Sequence, residues 1–218
     1  MTDQSDTLLG WHFARSDGCL GYDDGRKIIV GETLTVDCDP VLCESGLHAA
    51  ERVIDALTYA AGPIICRVRL GGRIVRGVDK AAGTSRTCLA MADATSVLHE
   101  FVCLCAEQAL ARVANPHPRS VEAIACKRRW LAGAATDAEL ATAYAATSDT
   151  AFYAARAAVS DAAYYAAYAA ASDAAFYAAR AARDVARDVA CDAAYAAQNT
   201  ELESRLASLL KLKLEDES

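Results

Sequence analysis

Glycine and proline are confined to the first part of this chain, and their absence from the rest limits the secondary structure that the rest can form. All twelve glycines lie at or before Gly133, and all four prolines lie at or before Pro118. From residue 132 to residue 197 about half of the positions are alanine, the residue with the highest helix propensity. Most of the net charge of −7 also lies after this boundary. The sequence therefore predicts an all-α C-terminal region that begins near Gly133.

The alanine-rich region contains three consecutive copies of a twelve-residue unit, which start at Ser148, Ser160 and Ser172. On an α-helix with 3.6 residues per turn, twelve residues rotate the pattern by about 120°. One aromatic residue of each copy then points to a different side of a straight helix; these are Phe152, Tyr164 and Phe176. We predict that they serve oligomerisation, in one or two long helices packed against copies of the same chain. The alternative is a set of short helices folded back on each other and capped by the Ser-Asp pairs.

The C-terminal leucines are a second candidate for self-association. Leu202, Leu206 and Leu209 have the a/d spacing of a coiled coil, over about one and a half heptads. This pattern predicts an oligomer contact, most simply in a dimer. Docking of the leucines against the same subunit is the alternative.

The chain before Gly133 predicts short strands followed by helices. The strongest strand pattern is Ile64–Leu70, in which apolar residues alternate with arginines. A turn at Gly71-Gly72 and a strand at Arg73–Val78 complete a predicted hairpin, and Ala49–Ala61 is predicted to be helical. Further strands are predicted at 11–14, 27–30 and 33–36, and helices at 93–113, at 119–131 and after a capping box formed by Thr136 and Glu139. The predicted fold class is α+β: a small, mostly antiparallel domain (1–90), a connector of two helices (91–133) and the alanine-rich helical region (134–218).

Composition excludes several classes of protein. A balance of 22 basic to 29 acidic residues argues against nonspecific nucleic-acid binding. No apolar run is long enough to span a membrane, and the acidic N-terminus lacks the pattern of a signal peptide. Nine cysteines without regular spacing indicate reduced thiols. We therefore expect a cytoplasmic protein without a cofactor, a membrane contact or a metal site.

Two histidines and a set of basic residues are the candidate functional residues. His12 and His48 would support general acid–base catalysis if folding brought them together with Glu44 or Glu100. Structural hydrogen bonds are the alternative role for both rings. The candidates for partner binding are the arginines of the predicted hairpin and one tryptophan: Arg67, Arg69, Arg73, Arg76 and Trp130. A sheet face with several arginines binds phosphates or an acidic protein surface, or it is simply solvated.

The segment from His12 to Cys88 resembles a small domain found mainly in bacteriophage and prophage proteins. The similarity rests on Gly31–Leu34, on the motif Cys43-Glu44-Ser45-Gly46-Leu47-His48, on a helix at 55–59 and on the strand Cys66–Leu70. The segments from 105 to 133 and the alanine repeats are similar to those of immunity proteins and phage accessory proteins. The resemblance implies a non-enzymatic accessory protein that binds and inhibits a host protein, in the manner of anti-defence or anti-CRISPR proteins.

A second resemblance, in the order of the elements, is to ADP-ribosyltransferases. His12 on an early strand, Gly46-Leu47-His48, Ala56–Tyr59 and Ile64–Leu70 follow one another as in that fold. This resemblance implies an active or degenerate transferase as an alternative function. A structural component of a virion or a filament, assembled through the helices, is the third hypothesis.

Overall fold

The computed structural model describes residues 7–21, 24–111, 116, 118–148 and 191–211. In chain order the elements are β1 (Leu8–Ala14), β2 (Thr33–Thr35), β3 (Leu47–Ala49), α1 (Val53–Thr58), β4 (Ile64–Arg76), β5 (Ala81–Asp93), α2 (Thr95–Leu110), α3 (Pro118–Leu131), α4 (Asp137–Ser148) and α5 (Cys191–Leu209). Among these residues a five-stranded antiparallel sheet is combined with five helices, so the fold is α+β as predicted. Within the same part of the chain, no helix has both the length and the apolar character that crossing a membrane requires.

The described chain divides into two compact units. The sheet unit comprises residues 7–94 and 199–211, and the helical unit comprises the described residues between 95 and 198. The second half of α5 therefore belongs to the sheet unit, although it follows β5 at a long distance in sequence. The division into 1–90, 91–133 and 134–218, which rests on composition, stays a prediction.

The sheet curves until its two ends meet. Its strands run in the order β1–β4–β5–β2, and β3 pairs with the start of β5, where Ala49 lies opposite Ala81. Directly after β3, Ala50 bridges back to Trp11 of β1, and the Trp11 N–H donates to the Ala50 carbonyl oxygen at 2.7 Å. The strands β1, β4, β5 and β3 therefore close a ring, which has an inner and an outer face.

Gly10 permits this closure. A Cβ atom at position 10 would lie 2.9 Å from the Ala50 carbonyl oxygen and 3.1 Å from the Ala49 Cβ atom. Because the carbonyl belongs to the backbone, it cannot move aside without a shift of the chain. A larger residue at position 10 would therefore push β1 away from the end of β3.

The predicted hairpin at Gly71-Gly72 is wrong. β4 continues through both glycines to Arg76, and the chain reverses only at residues 77–80. The two glycines instead form an irregularity in the pairing with β5. Gly72 has a φ of +72°, and a Cβ atom there would collide with the Thr84 side chain. All four candidate arginines of the predicted hairpin consequently lie on one strand.

The predicted helix at 49–61 is shorter, and its first residues belong to a strand. α1 covers only Val53–Thr58, whereas Leu47–Ala49 forms β3. The alanines favour a helix, but pairing with β5 and closure onto β1 stabilise the extended backbone instead. The predicted strand at 27–30 is also wrong, because only Lys27 forms a bridge, to Cys19.

The predicted helices of the helical unit are confirmed, with shifted ends. α2 lies within the predicted segment 93–113, and α3 covers the predicted segment 119–131 and begins one residue earlier. α4 starts at the predicted capping box. The Thr136 N–H donates to Glu139 Oε2 at 2.8 Å, and the Glu139 N–H donates to Thr136 Oγ1 at 3.2 Å. Two N–H groups at the start of the helix are thereby satisfied.

The C-terminal leucines are buried within the single chain. Leu202 and Leu206 are fully buried on the part of α5 that belongs to the sheet unit, and Leu209 is partly buried. At the start of this part, the Ile54 N–H of α1 donates to Asn199 Oδ1 at 3.2 Å. These contacts are of the kind expected for docking on the same subunit, and a role of the leucines in oligomerisation stays a prediction. The other oligomerisation candidates, Phe152, Tyr164 and Phe176, lie outside the described residues.

Candidate functional site

The inner face of the sheet collects polar and sulfur-containing side chains among apolar ones. Residues that pair across neighbouring antiparallel strands project to the same face. Three rows cross the sheet in this way: Leu8, Leu70, Arg86 and Leu34; then Gly10, Val68 and Cys88; then His12, Cys66 and Met91. Arg86, His12, Cys66 and Cys88 are the chemically active members, and we name these four residues the inner-face cluster.

Arg86 is a buried cation with an incomplete set of partners. Only 4% of the residue is exposed. Its Nη1 donates to the His48 carbonyl oxygen at 2.5 Å, whereas Nη2 is buried without a hydrogen-bond partner in the described part of the chain. Burial lowers the pKa of Arg86 to about 10, so the group is still charged at neutral pH.

Asp24 supplies a negative charge near Arg86, but its carboxylate is hydrogen-bonded to Arg26. The charge of Asp24 partly opposes the effect of burial on the pKa of Arg86. Both carboxylate oxygens of Asp24, however, accept hydrogen bonds from Arg26, at 2.7 Å from Nε and 2.7 Å from Nη2. Among the described residues, Arg86 therefore has no direct ion pair that would neutralise its charge.

His12 adds a neutral ring to the same face. Its Nε2 is buried and finds no hydrogen-bond partner among the residues that the structure describes. Burial, followed by the charges of Arg86 and His48, lowers the pKa of His12 well below its usual range. The ring is therefore uncharged at neutral pH, with one nitrogen that can still donate or accept a hydrogen bond.

His48, the second candidate for catalysis, has a local partner. Its Nε2 accepts a hydrogen bond from the Cys43 N–H at 3.2 Å, and Cys43 has a φ of +67°. The motif from Cys43 to His48 thus forms a tight loop, and its contribution to the cluster is the backbone carbonyl that binds Arg86. Within the described residues no carboxylate is hydrogen-bonded to either histidine ring, so catalysis with Glu44 or Glu100 stays a prediction.

The two cysteines of the cluster lie on neighbouring strands. Cys66 of β4 and Cys88 of β5 are both buried, and the Cys88 thiol donates a hydrogen bond to the Ala90 carbonyl oxygen at 3.6 Å. The neighbouring Cys88 and burial raise the pKa of Cys66. The neighbouring Cys66, together with the charge of Arg86 and the contact with the Ala90 backbone, lowers the pKa of Cys88 against the opposing effect of burial. Cys88 is therefore the thiol of the pair that ionises more readily.

The predicted partner-binding arginines lie outside the inner-face cluster. Arg69 is exposed on β4. The guanidinium of Arg67 stacks on the ring of Trp11, at 4.6 Å from the ring centroid. Arg73 forms an ion pair with Asp39 at 2.7 Å, and Arg76 forms one with Glu51 at 3.1 Å. Exposed ion pairs of this kind contribute little to stability and open easily. Partner binding through these arginines stays a prediction.

Trp130, the remaining candidate, is engaged within the helical unit. Its Nε1–H donates to Asp137 Oδ1 at 2.7 Å, and Lys127 Nζ lies 3.8 Å from the ring centroid. The His99 ring meets the indole edge-on, with 5.6 Å between the ring centroids. Binding of a partner by Trp130 stays a prediction.

Sequence reasoning missed Arg86 as a site residue because it missed the strand that carries Arg86. The available signal was Cys88, two residues further on, which places Arg86 on the same side as a buried residue in any strand through this segment. The described residues contain no group of three or more side chains that could hold a metal ion.

No family model, curated protein or solved structure matches this chain. The resemblance to phage domains and accessory proteins, and the resemblance to ADP-ribosyltransferases, therefore stay predictions.

Proposed function

We propose that the sheet unit binds a small organic anion on its inner face, through Arg86 and His12. The observation that supports this proposal is the buried guanidinium of Arg86, whose Nη2 lacks a partner among the described residues. A buried charge without a counter-ion costs several kcal/mol, so packing alone disfavours it. A carboxylate or phosphate oxygen of a ligand would complete the hydrogen bonds of the guanidinium and neutralise its charge.

The surroundings of Arg86 define the kind of anion. Nη1 already bonds to the His48 carbonyl oxygen, so the ligand receives its hydrogen bond from Nη2. The uncharged ring of His12 offers a second polar contact on the same face. The rest of this face is largely aliphatic, with Leu8 and Leu70 in the row of Arg86. A small anion with an apolar body fits this combination better than a hydrated inorganic ion does.

Calorimetric titration of the full chain with benzoate and with phenyl phosphate tests the proposal. Inorganic phosphate serves as the anion without an apolar body, and it should bind more weakly. We expect Arg86→Met to lower the affinity for the aromatic anions by about 10- to 100-fold, which corresponds to the loss of one charge-assisted hydrogen bond. Arg69→Met, which removes an exposed arginine from the same sheet, is the matched control and should bind like the wild type.

Two results would overturn the proposal. One is that the wild-type chain binds neither aromatic anion at millimolar concentration. The other is that Arg69→Met and Arg86→Met lose affinity equally, since binding would then reflect general surface charge rather than the inner-face cluster.

Inhibition of a host protein, the function that the phage resemblance implies, is compatible with anion binding. The arginines predicted to bind a partner lie outside the inner-face cluster, so the two functions would use different surfaces. The same prediction includes a homodimer in the cytoplasm of the host cell. A host protein that wild type and Arg86→Met capture equally from a bacterial lysate would support two separate functions. Transferase activity and assembly into a virion or filament also stay predictions.

A further inference from the structure

Lys127 of α3 is a buried amine in the helical unit, which the proposed anion binding does not use. It is fully buried, and its Nζ has no hydrogen-bond partner among the described residues. The next residue, Arg128, forms an ion pair with Glu107 at 2.7 Å. Arg129 forms one with Glu122 at 2.9 Å. Of three consecutive basic residues, the buried one is therefore the one without a counter-ion, and such a position favours the neutral amine.

The surroundings of Lys127 come from α2, α3 and α4. Lys127 and Trp130 are three residues apart on α3 and share one face of that helix, and Nζ lies 3.8 Å from the centroid of the indole ring. His99 of α2 meets the same indole edge-on, and its Nδ1 is a second buried atom without a partner in the described part of the chain. The carboxylate of Asp137 accepts a hydrogen bond from the indole N–H at 2.7 Å. The amine therefore faces an aromatic ring instead of a carboxylate.

The titratable groups near Lys127 leave part of the amine neutral at physiological pH. Burial lowers the pKa of Lys127 to about 8, against the opposing effects of Cys103 and Asp137. Burial raises the pKa of Cys103 to about 11, and burial followed by the charge of Lys127 lowers the pKa of His99 to about 4, so both neighbours are uncharged at neutral pH. At pH 7 the neutral fraction of Lys127 is then roughly 200-fold larger than that of an exposed lysine with an ordinary pKa of about 10.4.

We propose that Lys127 is a nucleophilic amine that forms a Schiff base with small uncharged aldehydes. Only the neutral form of an amine has the lone pair that attacks a carbonyl carbon, and desolvation keeps a lysine in that form. The product is an iminium cation, which replaces the ammonium group over the face of Trp130. Because Nζ is fully buried, the aldehyde must be small. An aldehyde without a charge loses less on leaving water, and propionaldehyde is the probe that we name.

The reaction balances without an oxidant or a reductant. The lone pair of Nζ forms a bond to the carbonyl carbon, the π electrons of the carbonyl move to the oxygen, and a proton passes from the nitrogen to that oxygen, which produces a carbinolamine. The hydroxyl group then gains a proton from solvent, the C–O bond breaks, and water leaves while the C=N bond of the iminium forms. Hydrolysis reverses both steps.

Reductive trapping on the full wild-type chain tests the proposal without any substitution. The protein is treated at pH 7 with a limiting amount of propionaldehyde and with sodium cyanoborohydride, which reduces the iminium to a stable propylamine. After alkylation of the thiols, the chain is cleaved with trypsin, which does not cut after a propylated lysine. Propylated Lys127 is then carried by residues 120–128, and mass spectrometry measures its yield over time.

Lys80 is the matched control within the same chain. Its Nζ lies 3.6 Å from the centroid of the Tyr59 ring, so it also has an aromatic contact. Lys80 is partly exposed, however, and the effects of Cys43 and Tyr59 outweigh burial and raise its pKa. Propylated Lys80 is carried by residues 77–86. We expect Lys127 to react at least about 10-fold faster than Lys80 at pH 7, since its larger neutral fraction outweighs its poorer access.

The pH dependence of the ratio of the two rates is a second measurement. Up to about pH 8 both lysines gain neutral amine in parallel, whereas above it Lys127 is already neutral, so the ratio should fall about 10-fold per pH unit. Both lysines share one sample, so the pH dependence of the reductant cancels. Asp137→Asn keeps an oxygen for the Trp130 N–H but removes the charge that raises the pKa of Lys127, and it should move the fall to lower pH. Glu122→Gln, the matched control, should not move it.

Three results would overturn the proposal. One is that Lys127 reacts no faster than Lys80 at pH 7. Another is that the preference for Lys127 persists in guanidinium chloride, since the adjacent arginines rather than the fold would then cause it. The third is a ratio that does not fall above pH 8. None of these results depends on whether an anion binds to the sheet unit.

Discussion

Replacing Arg86 by methionine shows whether the guanidinium serves a ligand or the fold. Removing one partner of a buried structural ion pair costs about 3–5 kcal/mol. A buried arginine that is kept for a ligand behaves differently, because its removal relieves a penalty in the free protein. The two roles therefore predict different changes in the free energy of unfolding.

The magnitude follows from the pKa of Arg86 and from its hydrogen bond to His48. Burial lowers this pKa to about 10, well below the ordinary value for arginine. At about 1.4 kcal/mol for each pKa unit, the folded chain carries a penalty of about 3 kcal/mol at neutral pH. The substitution by methionine also removes the hydrogen bond from Arg86 to the His48 carbonyl oxygen, and this bond stabilises the folded chain by about 1.5–3 kcal/mol. The two effects nearly cancel, so we expect Arg86→Met to be at least as stable as the wild type, with an increase below about 1.5 kcal/mol.

Urea denaturation followed by tryptophan fluorescence measures this change in the sheet unit. The chain has two tryptophans, of which Trp11 is buried in the sheet unit and Trp130 belongs to the helical unit. In a Trp130→Phe background the signal comes from Trp11 alone. Leu70→Ala removes the buried neighbour of Arg86 on β4 and should lose about 2–5 kcal/mol, which shows that the assay responds to the inner face.

A loss of about 3 kcal/mol or more in Arg86→Met would refute this reasoning. The guanidinium would then support the fold through the His48 carbonyl oxygen, and its unpartnered Nη2 would carry no argument for a ligand. The folded and unfolded chains both carry the arginine charge at neutral pH, about three pH units below the folded-state pKa of about 10, so measurements there contain no titration of Arg86 itself.

Three further predictions concern the ring of His12, the C-terminal helix and the closure of the sheet. His12→Gln should reduce the loss of stability in acid. Below pH 6.5 the His12 ring is protonated in the unfolded chain but stays neutral in the folded chain, so the wild type loses about 1.4 kcal/mol of its free energy of unfolding per pH unit. Urea midpoints measured from neutral to mildly acidic pH check this, and equal slopes would contradict it. Leu206→Ala should lower the free energy of unfolding by about 2–5 kcal/mol at every protein concentration, whereas a concentration-dependent loss would indicate an oligomer contact. Gly10→Ala should push β1 away from Ala50 and, because β1 carries His12, weaken benzoate binding in the calorimetric titration. Leu9→Ala, a substitution at the exposed neighbouring position, should leave the affinity for benzoate unchanged.

Features that depend on a few neighbouring residues are predictable from the sequence. The alternation in β4 is one, because Val68 and Leu70 are buried while Arg69 between them is exposed. The capping box of Thr136 and Glu139 is another, since its hydrogen bonds join residues three apart. In both cases the residues that form the structure are the residues that carry the pattern.

β5 is not predictable in this way. Residues 81–93 include several alanines and a glycine, which are weak strand formers, and the strand exists because it pairs along its length with β4. Without β5, Arg86 is simply one more basic residue near a turn. His48 is misleading for a related reason, because its side chain carries the sequence pattern while its backbone carbonyl holds Arg86.

The inner face is less stable than packing alone would make it, and this is the strongest argument that it has a function. Aliphatic residues in place of Arg86 and His12 would fill the same face without buried polar atoms. Instead, a guanidinium nitrogen and an imidazole nitrogen both remain without partners among the described residues, and each such group costs about 1–3 kcal/mol. Chains that break the rules of packing usually do so where function requires it. That criterion favours the proposed anion site at the inner-face cluster over one at Arg73 or Arg76, whose charges already have partners within the fold, and it also singles out Lys127 Nζ and His99 Nδ1 of the helical unit.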